Sequence, residues 1–294
     1  MSAAGHCYCN INGELLPESE GRVSVLDRGF LFGDSVYEVV RAKGERFYFL
    51  APHLDRLRRS ASSIWLEIPW SDEELGVECA RTIQAAGNEE SYLRIIVTRG
   101  TGTAPNIDLA FASETPSYVL LARPRPVPPK HFPDEGLHAW IVDRRRTDRR
   151  TMDPGVKSGN YLNNIMGLAE ARRHGAETAL FLNPQGDLTE APTSNVWIVK
   201  GKEILTPPLR SGLLSGITRK VLLELGKDHG LAMEERVLVE LDVREADEIF
   251  LSSTNMDIAP ITMLNGVPVG DGEPGPITRE ISRLYLERAE RDAC

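Results

Sequence analysis

Val36–Leu66 reads "VYEVVRAKGERFYFLAPHLDRLRRSASSIWL" and holds two periodicities in one run. Its first half alternates β-branched and aromatic residues around "AKGE", where a glycine-containing turn joins two strand-like segments into a hairpin. From Ala51 onward the spacing becomes helical, with one apolar face. A hairpin followed directly by a helix points to an α+β domain.

The same pattern continues outward. "YCNING", "YLRIIVTRG" and "SYVLLARP" read as strands, while "SDEELGVECARTIQAAG" reads as a helix opened by a capping box, Ser71 with Glu74. Ala122–Asp134, "ARPRPVPPKHFPD", carries five prolines in thirteen residues and reads as a stiff linker without regular structure. The expected division is therefore a small domain over 1–121, a linker over 122–134 and a large domain over 135–294. In the large domain "LHAWIVD" is a strand, and a helix runs from about Tyr161 to His174 with Leu162, Ile165, Met166 and Ala169 on its apolar face. "GITRKVLLELGKDHG" and "PITREISRLYLERAE" are further helices, with strands between them.

The chain has 294 residues, of which 41% are hydrophobic and 26% charged, and a net charge of -9. That balance gives no general footprint for nucleic acid or an anionic membrane, although arginines cluster locally from Arg144 to Arg150. No run approaches the roughly 18 to 20 apolar residues of a membrane span, and the first residues lack the pattern of a signal peptide, so a cytoplasmic protein is expected. Cys7, Cys9, Cys79 and Cys294 form no disulfide framework and, with His6, no zinc spacing; no metal is expected.

Of seven lysines, six sit in hairpin turns, the proline-rich stretch or a polar helix face. Lys157, in "GVKSGNYLNN" (Gly155–Asn164), stands beside Gly159 and Asn160 just before a helix, where the chain must turn closely. A lysine becomes a nucleophile when partial burial or nearby positive charge favours its neutral amine, and the Arg144–Arg150 run is a candidate source of that charge. Gly216 opens a helix whose Ile217 and Thr218 amides suit an anion. Ser253 and Thr254 follow a buried strand, Arg56 offers a bidentate phosphate donor, and Glu190 offers a carboxylate. An imine former, a phosphate anchor and an acid are the parts that a pyridoxal phosphate site needs.

With these parts in order, the chain resembles the fold type IV, or class IV, pyridoxal-phosphate aminotransferases, the group of branched-chain and D-amino acid aminotransferases and aminodeoxychorismate lyases. The resemblance runs from about Asn10 to Gly270 through "DRGFLFGDSVYEVVR", "HLDRLRRSA", "YLRIIVTRG", "KSGNYLNNIMGLAEARRHGA", "LTEAPTSNVWIVKG", "TPPLRSGLLSGITR" and "SSTNMDIAPI". It implies a small α/β N-terminal domain and a larger C-terminal domain with a mixed, barrel-like sheet. It also implies a pyridoxal 5'-phosphate cofactor held by Lys157 as Schiff-base lysine, with Glu190 at the pyridine nitrogen and Arg56, Ile217, Thr218 and Thr254 around the phosphate. Phe32, Tyr37, Arg41 and Arg94 match substrate-pocket positions, and the pocket of the family lies between the domains and is completed by the second subunit of a homodimer.

The resemblance leaves the substrate divided. "YEVVR", "SST" and "KSGN" are similar to D-amino acid enzymes, yet Ala104 and Asn106 replace the arginine and histidine that hold the carboxylate there. "YLR", "GNY" and "EARRHG" are similar to branched-chain enzymes, with Tyr161 one residue nearer the lysine than its counterpart. Arg94, Arg41 and Arg28 are the cations left to hold a carboxylate. The reading is a transaminase between an amino acid and 2-oxoglutarate or pyruvate, D-amino acids narrowly ahead of branched-chain L-amino acids. The lyase and a non-catalytic cofactor-binding protein remain as alternatives.

Overall fold

The computed structural model describes residues 6–126 and 132–293, which fall into two compact units. Of these residues the first unit takes 6–126, 156–160 and 292–293, and the second takes 132–155 and 161–291.

The first unit contains β1 (Tyr8–Ile11), β2 (Glu14–Pro17), α1 (Arg28–Phe32), β3 (Ser35–Lys43), β4 (Arg46–Phe47), α2 (Leu50–Ser63), α3 (Asp72–Ala86), β5 (Glu90–Thr98) and β6 (Ser117–Pro124). Its strands form one antiparallel sheet in the order β2-β1-β6-β5-β3-β4. The hairpin at "AKGE" forms with Lys43 opposite Arg46, but its second strand lasts two residues. Phe49, at φ 58°, turns the chain straight into α2, so the aromatic run that looked like a strand is mostly a corner. The capping box at α3 is present, with the Ser71 hydroxyl accepting from the Glu74 amide at 3.1 Å and Gly87 ending the helix at φ 59°.

Helices α2 and α3 cover one face of this sheet, where Val36, Val40, Leu57, Leu75, Leu93 and Ile95 form the core. The register of β3 with β5 sets Tyr37 opposite Ile96, Val39 opposite Arg94 and Arg41 opposite Tyr92. Because strand side chains alternate, those six occupy the other face, while Glu38 points with the core residues.

The second unit contains α4 (Phe132–Glu135), β7 (Leu137–Ile141), α5 (Leu162–Arg173), β8 (Thr178–Leu180), β9 (Asn195–Lys200), β10 (Glu203–Thr206), α6 (Ile217–Asp228), β11 (Met233–Glu235), α7 (Glu240–Arg244), β12 (Glu248–Ser253), β13 (Asp257–Leu264), β14 (Val267–Pro268) and α8 (Pro276–Asp292). Its eight strands form a mixed sheet in the order β11-β10-β9-β12-β13-β7-β8, with β14 also on β13. Three pairs are parallel: β10 with β11, β13 with β7, and β7 with β8. The near-continuous apolar runs of β9 and β12 suit strands buried on both faces.

Three expectations need correction. The proline-rich stretch is not irregular throughout, since β6 runs to Pro124 and α4 begins at Phe132; residues 127–131, with Lys130, lie outside the described residues, as does Cys294. The segment 156–160, which carries Lys157, belongs with the first unit although it follows the proline-rich stretch. Finally, α5 buries Asn164, Gly167 and Ala171 and exposes the face that looked apolar: Leu162 is 70% exposed and Ile165 58%. The reason is local. A Cβ on Gly167 would overlap the Phe181 ring, so this missing side chain, not the larger ones, sets which face packs.

Candidate active site

Lys157 is positioned by strand pairing. The Tyr37 amide donates to the Lys157 carbonyl at 2.9 Å, the Gly159 amide donates to the Ser35 carbonyl at 2.9 Å, and Val36 bridges Ser158. Since β5 pairs with β3 from Ser35 to Lys43, the lysine segment lies along the opposite edge, the one β4 uses further on. A Cβ on Gly159 would overlap the Ser35 hydroxyl, and Asn160 Nδ2 donates to the Gly33 carbonyl at 3.1 Å. The glycine and asparagine after the lysine therefore dock the segment on β3. Lys157 Nζ lies 4.5 Å from the centre of the Tyr37 ring, and Arg94 Cζ lies 3.8 Å from the centre of the same ring. Among the described residues Arg94 has no carboxylate partner.

The other arginines named from sequence are held elsewhere. Arg41 donates to Glu90 at 3.0 Å and lies over the Tyr48 ring. Arg28 is 3% exposed: its Nε donates to Asp34 at 2.9 Å and its terminal nitrogens to the carbonyls of Asn106, Ile107 and Asp108, with Phe32 beneath it. Arg28 thus braces the loop around 106–108, and its guanidinium is committed to that loop. Arg56 donates from Nε and Nη2 to the two oxygens of Glu38, at 2.6 and 2.7 Å, and His53 Nδ1 meets the same carboxylate at 2.7 Å. Burial alone would raise the Glu38 carboxyl, but the Arg56 charge and the hydrogen bonds outweigh it and bring it from 4.5 to about 2. Burial likewise lowers His53, against the pull of Glu38 and with help from the Arg56 and Lys157 charges.

In the second unit Glu190 is 4% exposed and opens a tight loop that closes by a bridge to Asn195. Its Oε1 accepts from Arg146 Nε at 3.0 Å and Nη2 at 2.8 Å, while its Oε2 accepts from the Leu214 amide at 3.0 Å. The Leu214 carbonyl in turn accepts from Asn195 Nδ2 at 2.9 Å, and a Cβ on Gly216 would overlap Asn195 Oδ1. This network fixes the turn that starts α6. The amides of Ile217 and Thr218, in the first turn of α6, have no acceptor among the described residues. Thr254 stands in the turn after β12, whose Ser252 pairs with Asn195, so it sits at the same sheet end. Tyr161 is half-buried at the N-cap of α5.

Three arginines of the arginine-rich run have carboxylate partners: Arg146 pairs with Glu190, Arg149 with Asp153 and Arg150 with Asp148. Of the run in which a source of charge for Lys157 is sought, these three arginines are each paired with a carboxylate. Glu38, His53, Arg146, Asn164 and Asn195 were not anticipated. Glu38 had a signal, since an acid at an inward position between Val36 and Val40 demands a buried partner. Arg146 had none, because four like residues surround it in the sequence.

These residues fit a pyridoxal phosphate group. A carboxylate offers about four acceptor positions, and Glu190 has three of them filled, which leaves one on Oε2. The paired turn before α6 presents amides to an anion, and Lys157 supplies a primary amine.

Comparison with known proteins follows the same line. The family described as Amino-transferase class IV matches residues 35–264. The chain is 36% identical to a D-alanine aminotransferase of Listeria monocytogenes, over 97% of this chain and 96% of that protein. It is 32% identical to a putative branched-chain-amino-acid aminotransferase of Methanocaldococcus jannaschii, over 94% of each. Among solved structures, the branched-chain amino acid aminotransferase of Escherichia coli superposes with a TM-score of 0.91 at 27% identity, covering 98% of this chain and 96% of that one.

Proposed function

The chain belongs to the class IV aminotransferases and depends on pyridoxal phosphate, and from that premise we propose that Lys157 carries the cofactor and moves the substrate proton, with Glu190 at the pyridine nitrogen. The observation that carries this reading is that Lys157 Nζ and Arg94 Cζ each lie within 4.5 Å of the centre of one ring, that of Tyr37. The Lys157 amine, together with the Arg94 guanidinium, which has no carboxylate partner among the described residues, is what an amino acid's α-carbon and carboxylate require.

When bound, pyridoxal phosphate supplies an aldehyde to capture amines and a ring that takes up negative charge as the α-proton leaves. Lys157 would hold the cofactor through Nζ and, as a free amine, would remove the substrate's α-proton. Glu190 holds a proton at the pyridine nitrogen. Arg56, oriented by Glu38, binds the phosphate together with Thr254 and the amides of Ile217 and Thr218. Arg94 takes the substrate carboxylate, with Phe32, Tyr37 and Tyr161 lining the pocket; Arg41 and Arg28 are held by Glu90 and by the loop carbonyls. Lys157→Ala should abolish transamination. A variant that kept its turnover would remove the central assignment.

For substrate, D-amino acids come first, supported by "YEVVR" and "SST" and by the likeness to the Listeria enzyme, with 2-oxoglutarate or pyruvate as acceptor. Branched-chain L-amino acids are the second reading, favoured by "YLR", which puts Tyr92 and Arg94 on the Tyr37 face of the sheet. Half-reactions followed by cofactor absorbance decide between them. Rapid amination by L-leucine with none by D-alanine or D-glutamate would sink the first reading.

The protein is a homodimer in this reading, supported by apolar side chains exposed on each unit: Phe30 (68%) and Ile107 (79%) on the first, Leu162 and Ile165 on the second. Light scattering that gave a monomer mass at micromolar concentration would count against it. Free thiols at Cys7, Cys9 and Cys79 support a cytoplasmic location, and no described helix is long and apolar enough to cross a membrane.

A further inference from the structure

The geometry points to Arg146 as the positioning residue that orients Glu190 toward the cofactor's pyridine nitrogen and keeps it an acceptor there. This rests on the assignment of Glu190 given above and extends it by one residue.

The argument is a census of donors and acceptors. Arg146 places two nitrogens on a single oxygen, Oε1, so that oxygen is saturated. Oε2 carries only the Leu214 amide and keeps one acceptor position. A fork that gripped both oxygens would occupy the positions a pyridinium N–H needs; this one confines itself to the far oxygen and leaves the near one available.

Arg146 cannot swing away to do anything else. Its Nη1 donates to Asn164 Oδ1 at 2.8 Å and Asn163 Oδ1 at 3.2 Å, and its amide donates to the Leu182 carbonyl at 2.8 Å. Asn164 is itself fixed, donating to the Pro192 carbonyl at 2.6 Å. Among the described residues every partner of the Arg146 side chain other than Glu190 is uncharged, so its charge is directed at Glu190. That explains why α5 buries an asparagine: Asn164 and Asn163 hold the guanidinium from behind, while Leu162 and Ile165 remain outside. A lysine could supply charge to Glu190 but not two fixed donors converging on one oxygen from a planar group. Glu190 without Arg146 would be a buried carboxylate with one hydrogen bond, from the Leu214 amide, and an unpartnered Oε1, so nothing would fix which oxygen serves the ring.

The test uses holoenzyme reconstituted with pyridoxal phosphate carrying 15N in its ring, in Arg146→Gln, Arg146→Lys and Glu190→Gln variants beside the unaltered protein. The ring-nitrogen signal reports protonation independently of turnover. Arg146→Gln should move it most of the way toward the Glu190→Gln position and lower kcat on the order of tenfold, the effect of removing a group that orients a contacting ligand. KM should change little, since no substrate contact is lost. Arg146→Lys should fall between, with partial recovery of both signal and kcat.

A ring signal and kcat in Arg146→Gln equal to those of the unaltered protein, with Glu190→Gln shifted, would overturn the inference and leave the Glu190 assignment standing. No shift in either Arg146→Gln or Glu190→Gln would instead remove Glu190 from the pyridine nitrogen. Should Arg146→Gln fail to fold, as read by circular dichroism, Arg146→Lys decides alone: an intermediate signal supports the fork, and an unaltered one overturns it.

Discussion

Each unit buries one carboxylate against one arginine, and the two pairs are built differently. In the first, Arg56 meets both oxygens of Glu38 in parallel, and His53 adds a third donor at 2.7 Å. In the second, Arg146 converges on one oxygen of Glu190 and leaves the other to a backbone amide. A closed fork of the first kind immobilises its arginine, so the carboxylate serves the guanidinium. An end-on contact of the second kind immobilises the carboxylate, so the guanidinium serves the acid. The same two residue types thus yield a prepared cation in one unit and a prepared anion in the other.

The largest effect is expected where the closed fork is broken. Glu38→Ala leaves Arg56 and His53 buried without their acceptor and should lower unfolding free energy by about 3 to 5 kcal/mol, the usual cost of leaving one buried charge unpaired. It should also weaken cofactor binding, because Arg56 is no longer aimed; titration of apoprotein with pyridoxal phosphate measures this. A variant that melts and binds like the unaltered protein would show that Glu38 is not the clamp. The pH dependence carries the same information. With its folded value depressed from 4.5 to about 2, Glu38 contributes stability that is present above 4.5 and lost as pH falls toward 2. Glu38→Gln should flatten that part of the melting curve's acid limb, and an unchanged limb would assign it to other carboxylates.

A smaller effect separates two arginines on one sheet face. Arg94 lies over Tyr37, the ring that Lys157 also approaches, whereas Arg41 is tied to Glu90 and packed on Tyr48. Arg94→Ala should raise substrate KM about tenfold, as expected for losing a charged hydrogen bond, with cofactor affinity nearly unchanged. Arg41→Ala should leave KM close to its starting value and lower the melting temperature instead. The opposite pattern would make Arg41 the carboxylate ligand.

How much of this was legible in sequence follows from what each feature depends on. The hairpin at "AKGE", the capping box at Ser71 and the strand "YLRIIVT" were readable because each is specified within a few residues. The docking of Lys157 on β3 was not, because it joins positions 120 residues apart and is mediated by an absent side chain at Gly159. The buried face of α5 was misjudged for a related reason: apolar periodicity assumes that the largest side chains face inward, and here a glycine under Phe181 and an asparagine under Arg146 do so. The fate of Arg28 depended on carbonyls of the 106–108 loop, whose direction no side-chain pattern encodes.

The arginine-rich run gives the last and smallest contrast. Arg150 stands four residues after Arg146 and also pairs with an acid, Asp148, at 3.0 Å. That pair is open to solvent on the arginine side, 85% exposed, and it is local in sequence, so water and salt screen it and either partner is readily rehydrated. Its one distinct signature is that hydrogen bonds from Arg150 lower the Asp148 carboxyl to about 2. Arg150→Ala should therefore leave melting temperature, cofactor binding and kcat unchanged within error at moderate salt. If it slowed turnover as Arg146→Gln is expected to, burial would not be what distinguishes these arginines, and the run would have to act as a unit. The expected silence of Arg150 beside the expected response of Arg146 is what assigns the function of the run to one guanidinium.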